Sequence, residues 1–268
     1  MKNRILFLFL SLAFIILPVS AFTWGSTWGS LDQKKYKIKG SDGNRWASLL
    51  GRGKTVKGNE APYKITFTFD DGPDHRTTPV LLDQLDKYEI KASFFVNGHR
   101  FHHRSAGAKE NQSVLREIHR RGHFIGNHTF SHKDITTLDD NAWKQEVLQV
   151  EQQVRNITGR RPYLFRPPFG RGDGKTFLRL YQEGYTVVMW NMDPLDWKAK
   201  TAKQLLKRAK EIITDHPEGG VFLLHDTNRN TVEAFPLIIE WLAERNENLR
   251  AEGKKGLEIV GIEHFINH

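Results

Sequence analysis

The chain has 268 residues, of which 38% are hydrophobic and 26% are charged. This composition excludes a disordered chain, and the length suits one large α/β domain or two small ones. Cysteine is absent, which excludes disulfides and a lipid attached through a cysteine. The net charge of +9 favours anionic partners such as cell-wall material, and no nucleic-acid-binding motif accompanies it.

Residues 1–21 have the order of a secretory signal peptide. Lys2 and Arg4 precede an apolar stretch from Ile5 to Leu17, and small residues follow up to Ala21. The stretch is shorter than the ~20 residues that a membrane-spanning helix needs, so an uncleaved anchor is the weaker interpretation. We therefore predict export to the periplasm, cell envelope or medium, with no membrane span after cleavage.

Residues 22–62 form a predicted N-terminal arm or linker. The tetrapeptide Thr-Trp-Gly-Ser at residue 23 is repeated at residue 27, and Gly, Ser and Lys are frequent up to about residue 59. The absence of a sustained apolar period indicates a short flexible or loosely docked arm. Trp24 and Trp28 could stack on sugar rings, but packing on the domain is the favoured interpretation.

From residue 63 to residue 268, short apolar runs alternate with amphipathic stretches, which predicts one α/β domain with a parallel sheet. About seven repeats favour closure into a barrel, in which functional side chains follow the carboxyl ends of the strands. The predicted strands are 65–69, 92–96, 124–126, 163–165, 186–190, 221–224 and 257–260. The predicted helices are 78–88, 113–121, 141–157, 175–183, 202–214 and 232–246.

Two adjacent carboxylates, Asp70 and Asp71, follow the first of these strands. Neighbouring like charges cost free energy unless a positive group such as a metal ion or an arginine lies close to them. An ordinary Asp-Gly-Pro turn would explain the same letters, because Asp and Gly are common turn residues. The segment alone leaves both interpretations open.

His128 and His132 follow the third predicted strand. If the loop opens with a helical turn, the two imidazoles share a face and can reach one ion. Two histidines with one carboxylate are a common ligand set for catalytic zinc. A chance pair is plausible among twelve histidines, but the position at a strand end favours a metal site. Eight other histidines are interpreted as surface or structural: His99, His102, His103, His119, His123, His216, His264 and His268.

Three further polar segments follow later strands. Arg166 could pair with a buried carboxylate, and the Pro-Pro-Phe-Gly after it could aim amide N–H groups at a developing negative charge. Asp196 precedes Trp197, and His225 ends an apolar strand where it needs a carboxylate to hold its tautomer. A solvated arginine in a turn and a histidine bonded to main chain are the alternatives, but five such segments in succession argue against chance.

Together the segments TFDDGP, HTFSH, RPPFG, DPLDW and LLHD resemble the motifs of the polysaccharide deacetylases, carbohydrate esterase family 4 with its NodB-homology domain. The similarity runs from about residue 63 to the C-terminus. It implies a distorted (β/α)7 TIM-like barrel and a hydrolase that removes N-acetyl groups from N-acetylglucosamine units, with peptidoglycan the leading substrate. It also implies one divalent metal ion, with Zn²⁺ the usual ion and Co²⁺ or Ni²⁺ as alternatives.

The resemblance assigns roles to ten residues of this sequence. The implied metal ligands are Asp71, His128 and His132. The implied catalytic residues are Asp70 as base, His225 as general acid, Arg166 as partner of Asp70, and Asp196 as the residue that orients His225. The implied substrate-binding residues are Phe169, through its main-chain N–H, and the acetyl-pocket residues Trp197 and Leu223. Phe169 stands where many members have Tyr, which should matter little because the main chain carries the role.

Other functions stay open at this point. Chitin or chitooligosaccharide deacetylation and O-deacetylation of xylan would use the same residues. A non-catalytic cell-wall-binding module on the same scaffold is the alternative of another class, and the intact motifs argue against it. We expect a monomer that binds a polysaccharide and no nucleic acid. The basic segment 99–111 and the arm are candidate polymer contacts.

Overall fold

A computed structural model describes residues 53–266 of the chain. The predicted signal peptide, the tryptophans of the predicted arm and His268 lie outside the described residues. The predictions about export and about the arm's role therefore stay predictions.

Within this range, eight parallel strands form a single curved sheet. The strands are β1 Thr55–Val56, β2 Lys64–Asp70, β3 Ser93–Val96, β4 Phe124–Asn127, β5 Leu164–Phe165, β6 Thr186–Val188, β7 Gly219–His225 and β8 Glu258–Ile259. Their order in space is β1-β6-β5-β4-β3-β2-β7, and β8 pairs with the start of β2.

A single bridge closes the sheet into a barrel. Met192, beyond the end of β6, donates its N–H to the carbonyl of Val221 at 3.2 Å and accepts the N–H of Leu223 at 2.9 Å. Because one bridge replaces a full strand pair between β6 and β7, the barrel is distorted at this seam. The predicted α/β barrel is confirmed.

The sheet begins earlier in the chain than we predicted. Thr55 and Val56 lie in the predicted arm, but they pair with Val187 and Val188 of β6, and Val56 is fully buried. The described end of the arm is therefore part of the barrel, not a linker. A strand of two residues is too short to show the alternation by which strands are recognised in a sequence.

Helices separate most of the strands, as predicted. They are Thr78–Lys87, Ala108–Arg120, Asp140–Trp143, Gln149–Thr158, Gly174–Gln182, Ala202–Asp215, Arg229–Ala251 and Glu263–Ile266, and a π-helical turn, Lys144–Leu148, joins the third to the fourth. The helix predicted to start at residue 113 starts at Ala108, inside the predicted polymer-contact segment.

The long helix Arg229–Ala251 extends past both predicted ends and contains Pro236. Because proline has no N–H, the carbonyl of Val232 one turn earlier loses its usual helical partner. Gln84 of the neighbouring helix donates its Nε2 to that carbonyl at 3.0 Å. The helix therefore continues through the proline with its main chain satisfied.

The alternation of β2 divides the interior into two layers. Ile65, Phe67 and Phe69 pack against the helices in the main hydrophobic core. Because successive strand side chains point to opposite faces, Thr68 and Asp70 point into the barrel. Both are buried. A strand buried on both faces thus carries polar side chains toward the barrel axis, where they need partners.

One buried histidine, which lies away from the carboxyl ends of the strands, should make the fold sensitive to acid. His123 is 5% exposed, and its Nδ1 accepts the N–H of Ala92 at 3.3 Å. Burial, assisted by the charge of Lys91, lowers the pKa of His123 to about 4. An unfolded histidine titrates near ~6.5, so the folded state binds this proton less readily than the unfolded state. The stabilisation is complete above that pH and is lost as the pH falls toward 4.

We expect the titration of His123 to lower the free energy of unfolding by about 3 kcal/mol as the pH falls from about 6.5 to about 4. The variant His123→Gln keeps an acceptor for Ala92 but has no proton to gain, so its stability should fall less over the same range. Urea denaturation of both proteins at about pH 7 and about pH 4.5 measures the difference, and other titrating groups cancel in the comparison. Equal acid sensitivity in both proteins would contradict this prediction.

Candidate active site

The two adjacent carboxylates occupy different environments at the end of β2. Asp70 is the last residue of the strand and is 3% exposed. Asp71 begins the following loop with φ of 72°, a left-handed conformation that turns its side chain away from the path of the strand. The pair is therefore split between the barrel interior and the barrel mouth, the opening at the carboxyl ends of the strands.

Asp71, His128 and His132 form a group whose ligand atoms all lie within 4.8 Å of one another. Asp71 Oδ1 is 3.7 Å from Nε2 of His128 and 3.6 Å from Nε2 of His132. This carboxylate oxygen is buried and accepts no hydrogen bond. A buried carboxylate oxygen without a donor, facing two imidazole nitrogens, fits a divalent cation.

The main chain around His128 prepares its ring for such a cation. Nδ1 lies 2.7 Å from the carbonyl of Arg166, so Nδ1 carries the proton and Nε2 presents a lone pair. Burial lowers the pKa of His128 to about 3, which keeps the ring neutral. Neutral imidazole is the form that binds a metal ion.

The loop from His128 to His132 is not a helical turn, contrary to the condition under which we expected the two rings to meet. Its residues have no helical hydrogen-bonding pattern, and Thr129 and His132 adopt φ of 66° and 59°. Two left-handed residues bend the chain sharply, so the rings converge with their centroids 4.9 Å apart. The spacing of four is the same, but a different backbone path produces the convergence.

Arg166 fills the barrel interior beneath the carboxylates and is completely buried. Its Nη1 donates to Asp70 Oδ1 and to Thr68 Oγ1, both at 2.8 Å, and its Nε donates to the carbonyl of Val188 at 3.0 Å. Burial raises the pKa of Asp70, and the adjacent guanidinium opposes that shift. The structure brings together the two residues that we predicted to pair.

His225, at the end of β7, is held by Asp196. Nδ1 of His225 lies 2.7 Å from Asp196 Oδ1, and the main-chain N–H of His225 donates to Asp196 Oδ2 at 2.8 Å. Burial disfavours the charged ring, but the hydrogen bond and charge of Asp196 outweigh it and raise the pKa of His225 to about 9. Nε2 faces the mouth, 4.0 Å from Asp71 Oδ2. The ring is thus protonated at neutral pH and close to the candidate metal ligands.

The three predicted substrate-binding residues differ in exposure. Phe169 and Trp197 are 60% and 59% exposed, and the ring of Phe169 contacts His132 edge-on with centroids 4.5 Å apart. Leu223 is 4% exposed in β7, two residues before His225 and on the same face. Two exposed aromatic rings and one buried aliphatic side chain therefore lie near the same strand ends, and their substrate roles stay predictions.

Backbone strain is concentrated in the loops of the mouth. Seven non-glycine residues in the described range have left-handed φ, and five belong to the segments singled out from the sequence: Asp71, Thr129, His132, Phe169 and Leu195. Such conformations cost roughly 1–3 kcal/mol each and persist where the surroundings hold them. Their clustering marks this edge of the barrel as the functional one.

Two residues that support the site, Thr68 and Glu146, were not predicted from the sequence. Thr68 accepts from Arg166 and donates its hydroxyl to the carbonyl of Phe222 at 2.9 Å, so it fixes the guanidinium. Glu146 is buried and accepts from Ser131, inside the histidine loop. A polar residue on a strand buried on both faces could have signalled Thr68. Glu146 carries no comparable signal in an amphipathic helix.

Several residues of the basic segment 99–111 have structural roles. Arg100 pairs with Asp74 at 3.5 Å, and Asn111 is buried and accepts the main-chain N–H of His75 at 2.8 Å. His102 and His103 place their rings 4.2 Å apart at its surface. A role in polymer contact stays a prediction for those surface rings.

Among residues 53–266, no helix is both long and apolar enough to cross a bilayer.

A parallel barrel that gathers carboxylates, histidines and a buried arginine at the carboxyl ends of its strands is typical of α/β-barrel enzymes. Residues 57–188 match the family model for polysaccharide deacetylase. The chain belongs to the polysaccharide deacetylase family, and the predicted family and enzyme class are confirmed. Deacetylases of this family are generally metal-dependent and act on polysaccharides.

Individual relatives cover most of the chain. It is 26% identical to a peptidoglycan-N-acetylglucosamine deacetylase of Bacillus cereus over 86% of its own length and 85% of that protein. It is 32% identical to a peptidoglycan-N-acetylmuramic acid deacetylase of Bacillus subtilis over 66% of its length and 65% of that protein. The solved structure of the peptidoglycan deacetylase PdaC from Bacillus subtilis superposes with a TM-score of 0.62, at 29% identity, over 77% of this chain and 91% of that one.

Proposed function

We propose that the protein is an exported N-deacetylase that hydrolyses the acetamide of N-acetylglucosamine units in peptidoglycan. It uses one divalent ion, for which Zn²⁺ is the leading candidate. The observation that carries the proposal is the buried, unpartnered Asp71 Oδ1 facing the imidazoles of His128 and His132. We further propose that the enzyme acts as a monomer.

In this proposal, each carboxylate of the pair has one task. Asp71, His128 and His132 hold the ion, which, when bound, lowers the pKa of a water ligand to about 7 and polarises the substrate carbonyl. Asp70 takes the proton from the attacking water. Asp70 Oδ2 lies 3.7 Å from His128 Nε2, so it faces the ligand group while its other oxygen stays on Arg166.

The leaving nitrogen needs a proton, and His225 supplies it. The ring is protonated at neutral pH because Asp196 raises its pKa, and Nε2 points to the mouth. An acid whose pKa is raised and a base held by an arginine give the two separate proton-transfer groups that amide hydrolysis requires. The main-chain N–H of Phe169 would stabilise the oxyanion, and Trp197 with Leu223 would receive the acetyl methyl group.

Three observations favour peptidoglycan as the polymer. The two relatives described above are named peptidoglycan deacetylases, the N-terminal sequence predicts export, and the net charge of +9, or +7 without Lys2 and Arg4, suits an anionic wall. Chitin has the same acetamide but lacks the charge of the wall.

Mass spectrometry of muropeptides tests this proposal. Purified protein with zinc should replace one acetyl group on the glucosamine of peptidoglycan fragments by hydrogen, which lowers the fragment mass by about 42 Da, and should release acetate. The protein treated with a chelator is the control and should release none. Binding of peptidoglycan without acetate release would instead support the wall-binding module, and activity confined to chitin oligomers or acetylated xylan would overturn the choice of polymer.

A further inference from the structure

The loop that carries both candidate metal histidines is held by one buried carboxylate. Glu146 is 3% exposed. Its Oε2 accepts the main-chain N–H of Ser131 at 2.8 Å, and its Oε1 accepts the hydroxyl of Ser131 at 2.7 Å. Ser131 directly precedes His132. The carboxylate therefore fixes the chain one residue away from a candidate ligand.

The irregular helix behind the loop explains how Glu146 reaches it. Glu146 and Val147 lie in the π-helical turn Lys144–Leu148, where the wider turn shifts the helical hydrogen-bonding register. The carbonyl of Val147 accepts Nδ2 of Asn127 at 2.9 Å, and Asn127 directly precedes His128. Two adjacent residues of the π turn thus hold the residues that precede the two histidines.

The loop needs such support because its conformation is unfavourable by itself. Thr129 and His132 have φ of 66° and 59°, and left-handed conformations are rare for a β-branched residue and uncommon for histidine. Without the two bonds to Ser131, the loop gains access to conformations in which His132 turns away from Asp71. His132 is also the more exposed of the two histidines, with a side chain 30% exposed against 3% for His128.

We propose that Glu146 is a positioning residue: by clamping Ser131, it holds His132 toward Asp71 and so sets the affinity of the site for a divalent ion. The inference rests on the metal site of the proposed function. Burying an acid costs free energy that an apolar side chain would not. The clamp offsets part of that cost through the two bonds from Ser131 and through Lys133, whose Nζ is 3.2 Å from Oε1. As a result, His132 is already oriented toward Asp71 before an ion binds.

The variants follow from the hydrogen bonds. Glu146→Met keeps the volume but removes both acceptors. Glu146→Gln keeps one acceptor for the N–H of Ser131 and can donate to its hydroxyl, so it should rescue much of the function. Ser131→Ala removes one of the two bonds with little disturbance to folding. The matched control is Asn246→Leu, because Asn246 makes a similar two-bond clamp to the main chain of Leu257, remote from the proposed ligands in the fold.

Zinc affinity, measured by competition with a chromophoric chelator in the absence of substrate, is the direct readout. We expect Glu146→Met to weaken zinc binding by about 10–100-fold, Ser131→Ala and Glu146→Gln to weaken it less, and Asn246→Leu to leave it within about twofold. At saturating zinc, KM should stay unchanged in all of them and kcat should largely recover. If the role of Glu146 is limited to folding, Glu146→Met and Asn246→Leu should both lower the melting temperature, and neither should change the zinc affinity of the folded protein.

Two results separate the inference from the proposed function. Zinc affinity within about twofold of the wild type in folded Glu146→Met would overturn the clamp and leave the deacetylase proposal intact. If Glu146→Met does not fold, unchanged affinity in Ser131→Ala overturns the clamp instead. A wild-type protein that binds no zinc would overturn the metal centre and the clamp together.

Discussion

We expect Asp70→Asn to reduce turnover by about 10²–10⁴-fold while zinc stays bound, because the substitution removes the base and leaves the three proposed ligands in place. The amide oxygen of Asn can still accept from Arg166 Nη1, which Asp70 does at 2.8 Å. The lost charge leaves the buried guanidinium without its ion-pair partner, so the free energy of unfolding should also fall, by up to about 3–5 kcal/mol. Acetate release and zinc content of the same sample measure both effects.

Two variants serve as controls for that result. Thr68→Val removes the other side-chain acceptor of Arg166 Nη1 but keeps the carboxylate, so turnover should fall less than about tenfold. Asp71→Asn should lose zinc and activity together. If Asp70→Asn loses zinc and Asp71→Asn retains it, the assignment of base and ligand to the two carboxylates is reversed.

The sequence alone predicts the positions of the functional segments because the carboxyl ends of parallel strands meet at one edge of a barrel. Asp70, Arg166 and His225 each follow or end a predicted strand, and the structure brings their side chains to one mouth. From charge alone, the sequence indicates only that Arg166 and His225 need a carboxylate partner, since an uncompensated buried ion is costly. The family resemblance names Asp70 and Asp196 as those partners.

The sequence does not predict how the loops bend. A spacing of four between His128 and His132 suggests a helical turn, but the loop has two left-handed residues. Left-handed conformations of Thr and His are held by tertiary contacts, and no local pattern in the sequence records them. Glu146 escapes for the same reason, because its role depends on a π turn and on a partner fifteen residues away. Strand β1 escapes because two residues show no period.

The carboxylate behind His225 is the second position where we expect a large effect. Asp196 is completely buried, and both of its oxygens accept hydrogen bonds: Oδ1 from Nδ1 of His225, and Oδ2 from the main chain of His225 and from Thr231 Oγ1 at 2.6 Å. Only a carboxylate can accept on both sides. In Asp196→Asn, one oxygen becomes an NH₂ group that faces donors, and the charge that favours the imidazolium disappears.

We therefore expect Asp196→Asn to lower kcat by about 10³–10⁴-fold, because His225 loses both its tautomer and its proton. In the wild type, the hydrogen bond and charge of Asp196 raise the pKa of the ring above its ordinary value, so the acid stays protonated to higher pH than a free histidine. Without that charge, the pKa falls and the alkaline limb of the pH–rate profile moves to lower pH. Thr231→Val removes only a neutral donor to Asp196, so it should leave the limb nearly unmoved. An unchanged alkaline limb in Asp196→Asn would mean that His225 is not the group that protonates the leaving amine.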